Sequence, residues 1–134
     1  MTKILVDSNI ILDLFLNDPT WGEWSETTLE KLDAHSTLCI NPIIYTEISI
    51  SFSHIETLEE VIIAANFQLL ELPREALFLA GKAFLKYRRR GGNKRSPLPD
   101  FYIGAHAAVL NLELITRDTA RYRSYFPTIK LISP

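Results

Sequence analysis

The stretch Lys3-Ile4-Leu5-Val6-Asp7-Ser8-Asn9 decides the fold, because a short apolar run stops abruptly at an acid. Such a run predicts a buried strand over residues 3–6, and residues 9–16 then have the apolar spacing of a helix. The same alternation continues along the chain. Further strands are predicted over 37–41, 68–72, 113–116 and 128–132. Strands that alternate with helices predict an α/β protein, a three-layer α/β/α sandwich with a mostly parallel central sheet.

The remaining helices have recognisable starts and ends. One is predicted over 23–34, and Asn41-Pro42 is a favourable N-cap and first turn for a helix to about residue 53, with another to about 66. Pro73 opens a long helix that Gly91-Gly92 ends, Pro97 and Pro99 lead into another helix, and a short helix follows Asp118. The predicted inner face of the long helix is Leu77, Ala80, Gly81, Phe84 and Leu85, and that of the next is Phe101, Ala105, Ala108 and Leu112.

Composition favours a single globular domain over residues 1–134. The apolar fraction is 47% and the charged fraction 22%, so the 134 residues can bury a core and are not intrinsically disordered. Cys39 is the only cysteine, which excludes an internal disulfide and a multi-cysteine zinc site and favours a reducing compartment. Asp7 precedes any signal-peptide core, and the longest apolar stretch, 101–115, is too short to span a bilayer. We therefore expect a cytoplasmic protein without a membrane association.

The charge is nearly balanced overall but segregated along the chain. The net charge of −2 excludes a basic coat for nucleic acid. Residues 82–95, however, contain seven of the fourteen basic residues and no acid. Cations favour a helix C-terminus, so a solvated helix end is one interpretation, and a contact with an RNA backbone is the other. The candidate substrate-binding residues are Arg88, Arg89, Arg90, Lys94 and Arg95, with Arg117 as a weaker candidate.

Four acids are predicted to meet at one edge of the sheet. Asp7 directly follows the first strand, and Asp118 follows the strand Leu114-Ile115-Thr116 after one residue. Asp100 lies in the first turn of a helix, and Glu47 lies on the helix after the second strand. In open α/β sheets, ligands bind beyond the carboxyl ends of the strands.

Each acid also has a simpler interpretation, since Asp7, Asp100 and Asp118 are suited to helix starts. Glu47 is harder to explain, because it shares a helical stripe with Ile43 and Ile50 and needs a partner if it is buried.

Together, four converging carboxylates would repel one another and raise their pKa values. A hard cation relieves that repulsion, and oxygen-only ligands select Mg²⁺ or Mn²⁺ over zinc. Such an ion binds a phosphodiester, lowers the pKa of a water and stabilises the leaving oxygen. The adjacent hydroxyls of Ser8 and Thr116 are candidates to position a water or a phosphate. The acids therefore predict metal-assisted phosphodiester hydrolysis.

Other polar residues are interpreted structurally. His35, His54 and His106 lack a metal-ligand spacing and are expected to be structural or on the surface. Asp13 shares a polar stripe with Asn9 and Asn17, which predicts that its side chain is exposed.

These residues resemble the PIN-domain ribonucleases, and more closely the VapC-type toxins of toxin–antitoxin pairs. The matching segments are 5–9, Glu47, 99–105, 115–118 and the tail 121–127. The resemblance implies a PIN-like fold and a Mg²⁺- or Mn²⁺-dependent endoribonuclease that cleaves RNA, such as tRNA or another structured RNA. It also implies a homodimer that a cognate antitoxin neutralises. Metal ligation is carried over onto Asp7, Glu47, Asp100 and Asp118, with Ser8 and Thr116 as supporting catalytic groups.

Two other functions compete with this interpretation. One is a non-catalytic PIN-fold domain that binds RNA or protein. The other is an aspartyl-phosphate enzyme or receiver domain, which also has acids at strand ends. Phosphatases of that class need an Asp-x-Asp after the first strand, where this chain has Asn9, and a receiver needs a lysine after its final strands, where Lys130 lies within a predicted strand.

Overall fold

The computed structural model describes residues 2–134, in which five strands form one sheet. The strands lie in the order β3-β2-β1-β4-β5, and every pairing is parallel. Their bounds are β1 (Thr2–Val6), β2 (Ser36–Ile40), β3 (Gln68–Leu69), β4 (Glu113–Ile115) and β5 (Leu131–Ile132). The predicted α/β fold is confirmed. The edge strands β3 and β5 are shorter than predicted, since each pairs with only one neighbour.

Seven helices connect or follow these strands. They are α1 (Ser8–Phe15), α2 (Gly22–Asp33), α3 (Pro42–Ser49), α4 (Ile55–Ala64), α5 (Arg74–Arg89), α6 (Pro99–Leu110) and α7 (Ala120–Tyr125). Asn41 is the predicted cap of α3, and its Oδ1 accepts the backbone N–H of Ile44 at 2.9 Å. Gly91 follows α5 with φ of +92°, a conformation that favours glycine. Among residues 2–134, no helix has both the length and the apolar character needed to cross a membrane.

The strand order creates a switch point beside β1. From β1 the chain moves outward to β2 and β3, and then returns to the other side of β1 to form β4 and β5. Right-handed crossovers place α1 to α4 on one face of the sheet and α5 to α7 on the other. The carboxyl ends of β1 and β4 therefore open the crevice in which such sheets bind ligands. At this edge α3 contacts α6.

The inner face of α5 differs from the prediction. Its buried residues are Ala76, Ala80 and Ala83, whereas Leu77 and Leu85 are 44% and 41% exposed. Periodicity marks the large apolar side chains, but α5 packs against α6, and small side chains allow a close approach between the two helices. The neighbouring helix α6 is buried on more than one side, so its inner face is broader than the predicted stripe.

Candidate functional site

Asp7 is the most enclosed of the four predicted acids. It is the N-cap of α1, where its Oδ1 accepts the backbone N–H of Ser8 at 2.8 Å. Its Oδ2 accepts the hydroxyls of Thr116 and Tyr122, each at 2.8 Å. The residue is only 3% exposed, so its carboxylate is surrounded by neutral donors and little water. The N-cap interpretation is thus correct for Asp7 but leaves its Oδ2 contacts unexplained.

Glu47 reaches the same place from α3. Its Oε1 accepts a hydrogen bond from the Ser8 hydroxyl at 3.0 Å. The stripe of Ile43, Glu47 and Ile50 predicts an apolar environment, and this prediction is wrong at one end, because Ile50 is 83% exposed at the end of α3. Burial raises the pKa of Glu47, and the charges of Asp7 and Asp100 raise it further, while the bond from Ser8 opposes this.

Asp100 and Asp118 complete the group. Asp100 lies in the first turn of α6, and its Oδ1 accepts the Tyr122 hydroxyl at 3.3 Å. Its Oδ2 lies 3.7 Å from Nη1 of Arg121. Asp118 follows β4, and its backbone N–H donates to Thr116 Oγ1 at 3.1 Å. The Thr116 hydroxyl therefore links the segment that carries Asp118 to Asp7.

The acids act on one another electrostatically. Burial is the main cause that raises the pKa of Asp7, and the charge of Asp118 adds to it. The pKa of Asp100 is also raised, first by burial and then by the charge of Asp7, while Arg121 opposes the shift. The structure thus brings the four predicted acids into one electrostatic cluster. Within residues 2–134, however, no three carboxylate, histidine or cysteine side chains are already arranged to hold a metal ion.

Tyr122 is a site residue that the sequence did not reveal. Its side chain is fully buried, and its hydroxyl lies within hydrogen-bonding distance of both Asp7 and Asp100. Burial and the two nearby carboxylates raise its pKa well above the ordinary value, so the hydroxyl remains a donor. No pattern marks this residue, because α7 has only six residues and shows no apolar period.

Asn9 is a second polar residue that was not assigned to the site. Its amide Nδ2 contacts Thr116 Oγ1 at 3.2 Å, and its Oδ1 accepts the backbone N–H of Arg117 at 3.2 Å. The residue therefore joins the start of α1 to the loop after β4. The two segments that carry Asp7 and Asp118 are held together by side chains as well as by the sheet.

Asp13 is not exposed, and that prediction is wrong. It is 3% exposed, and it accepts two bonds from the Arg117 guanidinium, 2.7 Å from Nε and 2.9 Å from Nη2. The Ser25 hydroxyl donates to it at 3.0 Å. The polar stripe of α1 faces the loop after β4 rather than water, and the partner lies about a hundred residues away. The guanidinium of Arg117, a weaker candidate for substrate binding, is thus held by Asp13.

The basic segment lies at the end of α5 and in the loop that follows. Its members differ in what they contact. Arg88 Nη1 donates to the carbonyl of Lys94 at 2.8 Å, so this side chain turns back onto its own loop. Arg90 Nη1 instead donates to Ser124 Oγ at 3.1 Å, and its guanidinium lies 4.9 Å from the ring centroid of Tyr125. Arg89, Lys94 and Arg95 are exposed.

The histidines are structural or lie on the surface, as predicted. His35 and His54 are exposed, and His106 is fully buried in α6. The Nδ1 atom of His106 lies 3.1 Å from Nδ2 of Asn41. Burial lowers the pKa of His106, so the neutral ring is favoured.

The fold and the acids together define an α/β domain with a carboxylate site at the switch point of a parallel sheet. The PIN domain family model matches residues 4–126. The chain therefore belongs to the PIN domain family. No curated protein sequence matches the chain.

Solved structures with the same fold come from toxin–antitoxin complexes. VapBC2 from Rickettsia felis, bound to a promoter DNA fragment, is similar with a TM-score of 0.76 and 17% identity over 99% of both chains. VapBC-1 from nontypeable Haemophilus influenzae has a TM-score of 0.73 and 18% identity over 98% of both. FitAcB from Neisseria gonorrhoeae has a TM-score of 0.71 and 19% identity, over 98% of this chain and 97% of that one. At these identities the similarity establishes the fold.

Proposed function

We propose that this chain, acting as one domain over residues 1–134, is a divalent-metal-dependent endoribonuclease and the toxin of a VapBC-type pair. One observation carries the proposal. Asp7 is almost fully buried without a pairing lysine or arginine among residues 2–134, and it lies beside other carboxylates whose charges raise its pKa and theirs. Unpaired buried charge is costly, so such a cluster is suited to an external cation.

The donor set fits Mg²⁺ or Mn²⁺. The ligands would be Asp7, Glu47, Asp100 and Asp118, which offer only carboxylate oxygens. Because no three side chains already form a metal-holding group among residues 2–134, binding requires the less buried carboxylates to rotate towards Asp7. When bound, such an ion lowers the pKa of a water and stabilises charge on a phosphodiester.

The chain's own hydroxyls would orient these ligands. Ser8 bonds to Glu47, and Thr116 bonds to Asp7. Tyr122 contacts Asp7 and Asp100 from the side of α7. These contacts orient three of the acids, Asp7, Glu47 and Asp100, without adding a cation that would compete with the metal. Ser8 and Thr116 are thus proposed as supporting groups, as the sequence predicts.

The proposed partners are RNA, a cognate antitoxin and a second copy of the chain. The named VapBC complexes support the antitoxin, since a toxin of this fold is paired with one there. The family resemblance supports the homodimer. A non-catalytic PIN domain that binds RNA or protein is the alternative.

The test is cleavage of total RNA by purified protein with Mg²⁺ or Mn²⁺. Asp100→Asn removes one proposed ligand, and we expect the cleavage rate to fall at least ~100-fold, because metal stabilisation of the transition state amounts to several kcal/mol. The reaction is followed by the appearance of new 5′ ends.

Asp33→Asn is the matched control, because this exposed acid at the end of α2 lies outside the cluster. It should cleave RNA at the wild-type rate. Expression in a bacterium should arrest growth with the wild type and the control but not with Asp100→Asn. No cleavage by soluble wild-type protein with either metal would contradict the nuclease and leave the non-catalytic domain.

A further inference from the structure

A cleft opens directly beside the carboxylate cluster. It has a volume of about 420 Å³ and is lined by Asp118, Ala120, Arg121, Ser124 and Tyr125. Asp118 belongs to the carboxylate cluster, and the other four lining residues belong to α7. A nucleic-acid strand whose phosphodiester reaches the acids would therefore pass next to this cleft.

Two arginines from different parts of the chain meet at the cleft. Arg121 lines it, is 38% exposed at its side chain, and lies 3.7 Å from Asp100. Arg90 comes from the end of α5 and contacts two lining residues, the hydroxyl of Ser124 and the ring of Tyr125. The guanidinium of Arg121 also lies 5.9 Å from the ring centroids of Tyr87 and Phe101. These contacts hold both cations at the cleft.

The chemistry of the cleft matches single-stranded RNA. Arginine binds phosphate with a planar set of donors, and its guanidinium plane also stacks on bases. Tyr125 adds an aromatic ring, which packs edge-on against Phe101 with centroids 5.3 Å apart. Cations that follow a backbone, with aromatic surfaces for bases, are the usual composition of a single-strand path.

The rest of the basic segment lacks this arrangement. Arg88 bonds to the carbonyl of Lys94 within its own loop, and Arg123 lies on the exposed side of α7. Arg90 and Arg121 therefore differ from the neighbouring arginines Arg88 and Arg123 in their contact with the cleft, although all four carry the same charge. A general attraction of RNA to positive charge would not make this distinction.

We propose that this cleft binds the RNA segment next to the scissile phosphodiester, with Arg90 and Arg121 contacting its phosphates. The proposal rests on the proposed ribonuclease function and specifies how its substrate is held. Among the candidate substrate-binding residues of the basic segment 82–95, the proposal retains only Arg90, and it adds Arg121 from α7.

The experiment measures binding of a fluorescein-labelled 12-nucleotide single-stranded RNA of mixed sequence, by anisotropy in EDTA over a range of salt concentrations. Arg90→Gln and Arg121→Gln should each raise the Kd about fivefold or more. Each should also reduce the slope of log K against log salt by about 0.7, as expected for one lost phosphate contact on a single strand. Arg88→Gln and Arg123→Gln are matched controls, and their Kd values should stay within about twofold of the wild type.

A second readout uses cleavage with Mg²⁺ or Mn²⁺, where the two cleft variants should raise KM more than they lower kcat. Equal effects of all four substitutions, or wild-type RNA binding by the cleft variants, would overturn the proposal. If the wild type binds RNA through the cleft but cleaves none, the nuclease proposal fails while the cleft stands. If the cleft variants cleave RNA with the kcat and KM of the wild type, only the cleft proposal fails. A wild type that binds no RNA overturns the cleft directly.

Discussion

Asp7 and Asp13 are equally buried, each 3% exposed, but their negative charges are stabilised in different ways. Asp13 lies on α1 and accepts two bonds from the Arg117 guanidinium. Asp7 lies at the start of the same helix and accepts from neutral groups, namely the backbone N–H of Ser8, the hydroxyls of Ser8, Thr116 and Tyr122, and the amide of Asn9. The fold thus supplies a cation to one buried carboxylate and none to the other. The difference separates an acid that stabilises the fold from one suited to an external cation.

The largest stability effect is expected where the internal cation is removed. Arg117→Met leaves Asp13 buried without its positive partner, which should lower the free energy of unfolding by about 3 kcal/mol, the lower end for broken buried pairs. The lower end applies because the Arg117 side chain is 28% exposed. Urea unfolding at neutral pH measures the change.

Arg121→Met is the control for this prediction. It also removes an arginine near an aspartate, but the Asp100 pair is longer, at 3.7 Å, and its side chains are 38% and 23% exposed. We expect a change within about 0.5 kcal/mol, as for other surface pairs. Similar losses in the two variants would show that Arg117 has no special structural role.

The next largest effect is expected from a metal ion bound beside Asp7, the buried acid that has no internal cation. Mg²⁺ or Mn²⁺ should raise the free energy of unfolding of the wild type, by about 2.7 kcal/mol at a concentration of 100 times the Kd. Asp100→Asn should lose most of this increase, because it removes a proposed ligand and part of the repulsion that the metal would relieve. Thermal unfolding with and without the metal measures it.

Asp33→Asn should respond to the metal as the wild type does, since it lies outside the cluster. Sodium chloride at equal ionic strength controls for screening. An equal increase in Asp100→Asn would place the bound cation elsewhere on the protein.

The fold and the four acids were predictable because their signals are local. The apolar run at Ile4 ends at Asp7, and strands alternate with helices in the order that a parallel sheet requires. The ends of parallel strands share one edge, so Asp7 and Asp118 could be placed together before any side-chain contact was known.

The partners of these acids were not predictable in the same way. A helical stripe shows which residues share a face, but it does not show what that face meets. The prediction that Asp13 is exposed is wrong for this reason, because its partner Arg117 is distant in sequence and comes from the loop after β4. Tyr122 was missed for a similar reason, since a buried tyrosine in a short helix has no period to reveal it.

The smallest effect tests the sign of the electrostatics in metal-free protein. Burial and neighbouring charge raise the pKa of Asp100 above its ordinary value of 3.8, so the folded state binds its proton more tightly than the unfolded state. The free energy of unfolding therefore falls as the pH rises from 3.8 through the raised pKa. Asp100→Asn avoids this loss. In EDTA the variant should be more stable than the wild type at pH 7, and the difference should shrink as the pH falls towards 3.8.

Asp18, in the segment between α1 and α2, provides the opposite case. The backbone N–H groups of Trp21 and Thr20 donate to its Oδ1 at 2.8 and 2.9 Å and lower its pKa below 3.8. Its carboxylate therefore contributes stability that is present above pH 3.8 and lost as the pH falls through the lowered pKa. Asp18→Asn should be less stable than the wild type at pH 7, with a difference that also shrinks in acid. Urea unfolding from pH 7 to below pH 3.8 compares the two variants, and the same sign for both would contradict the assignment of Asp100 to a repelling cluster.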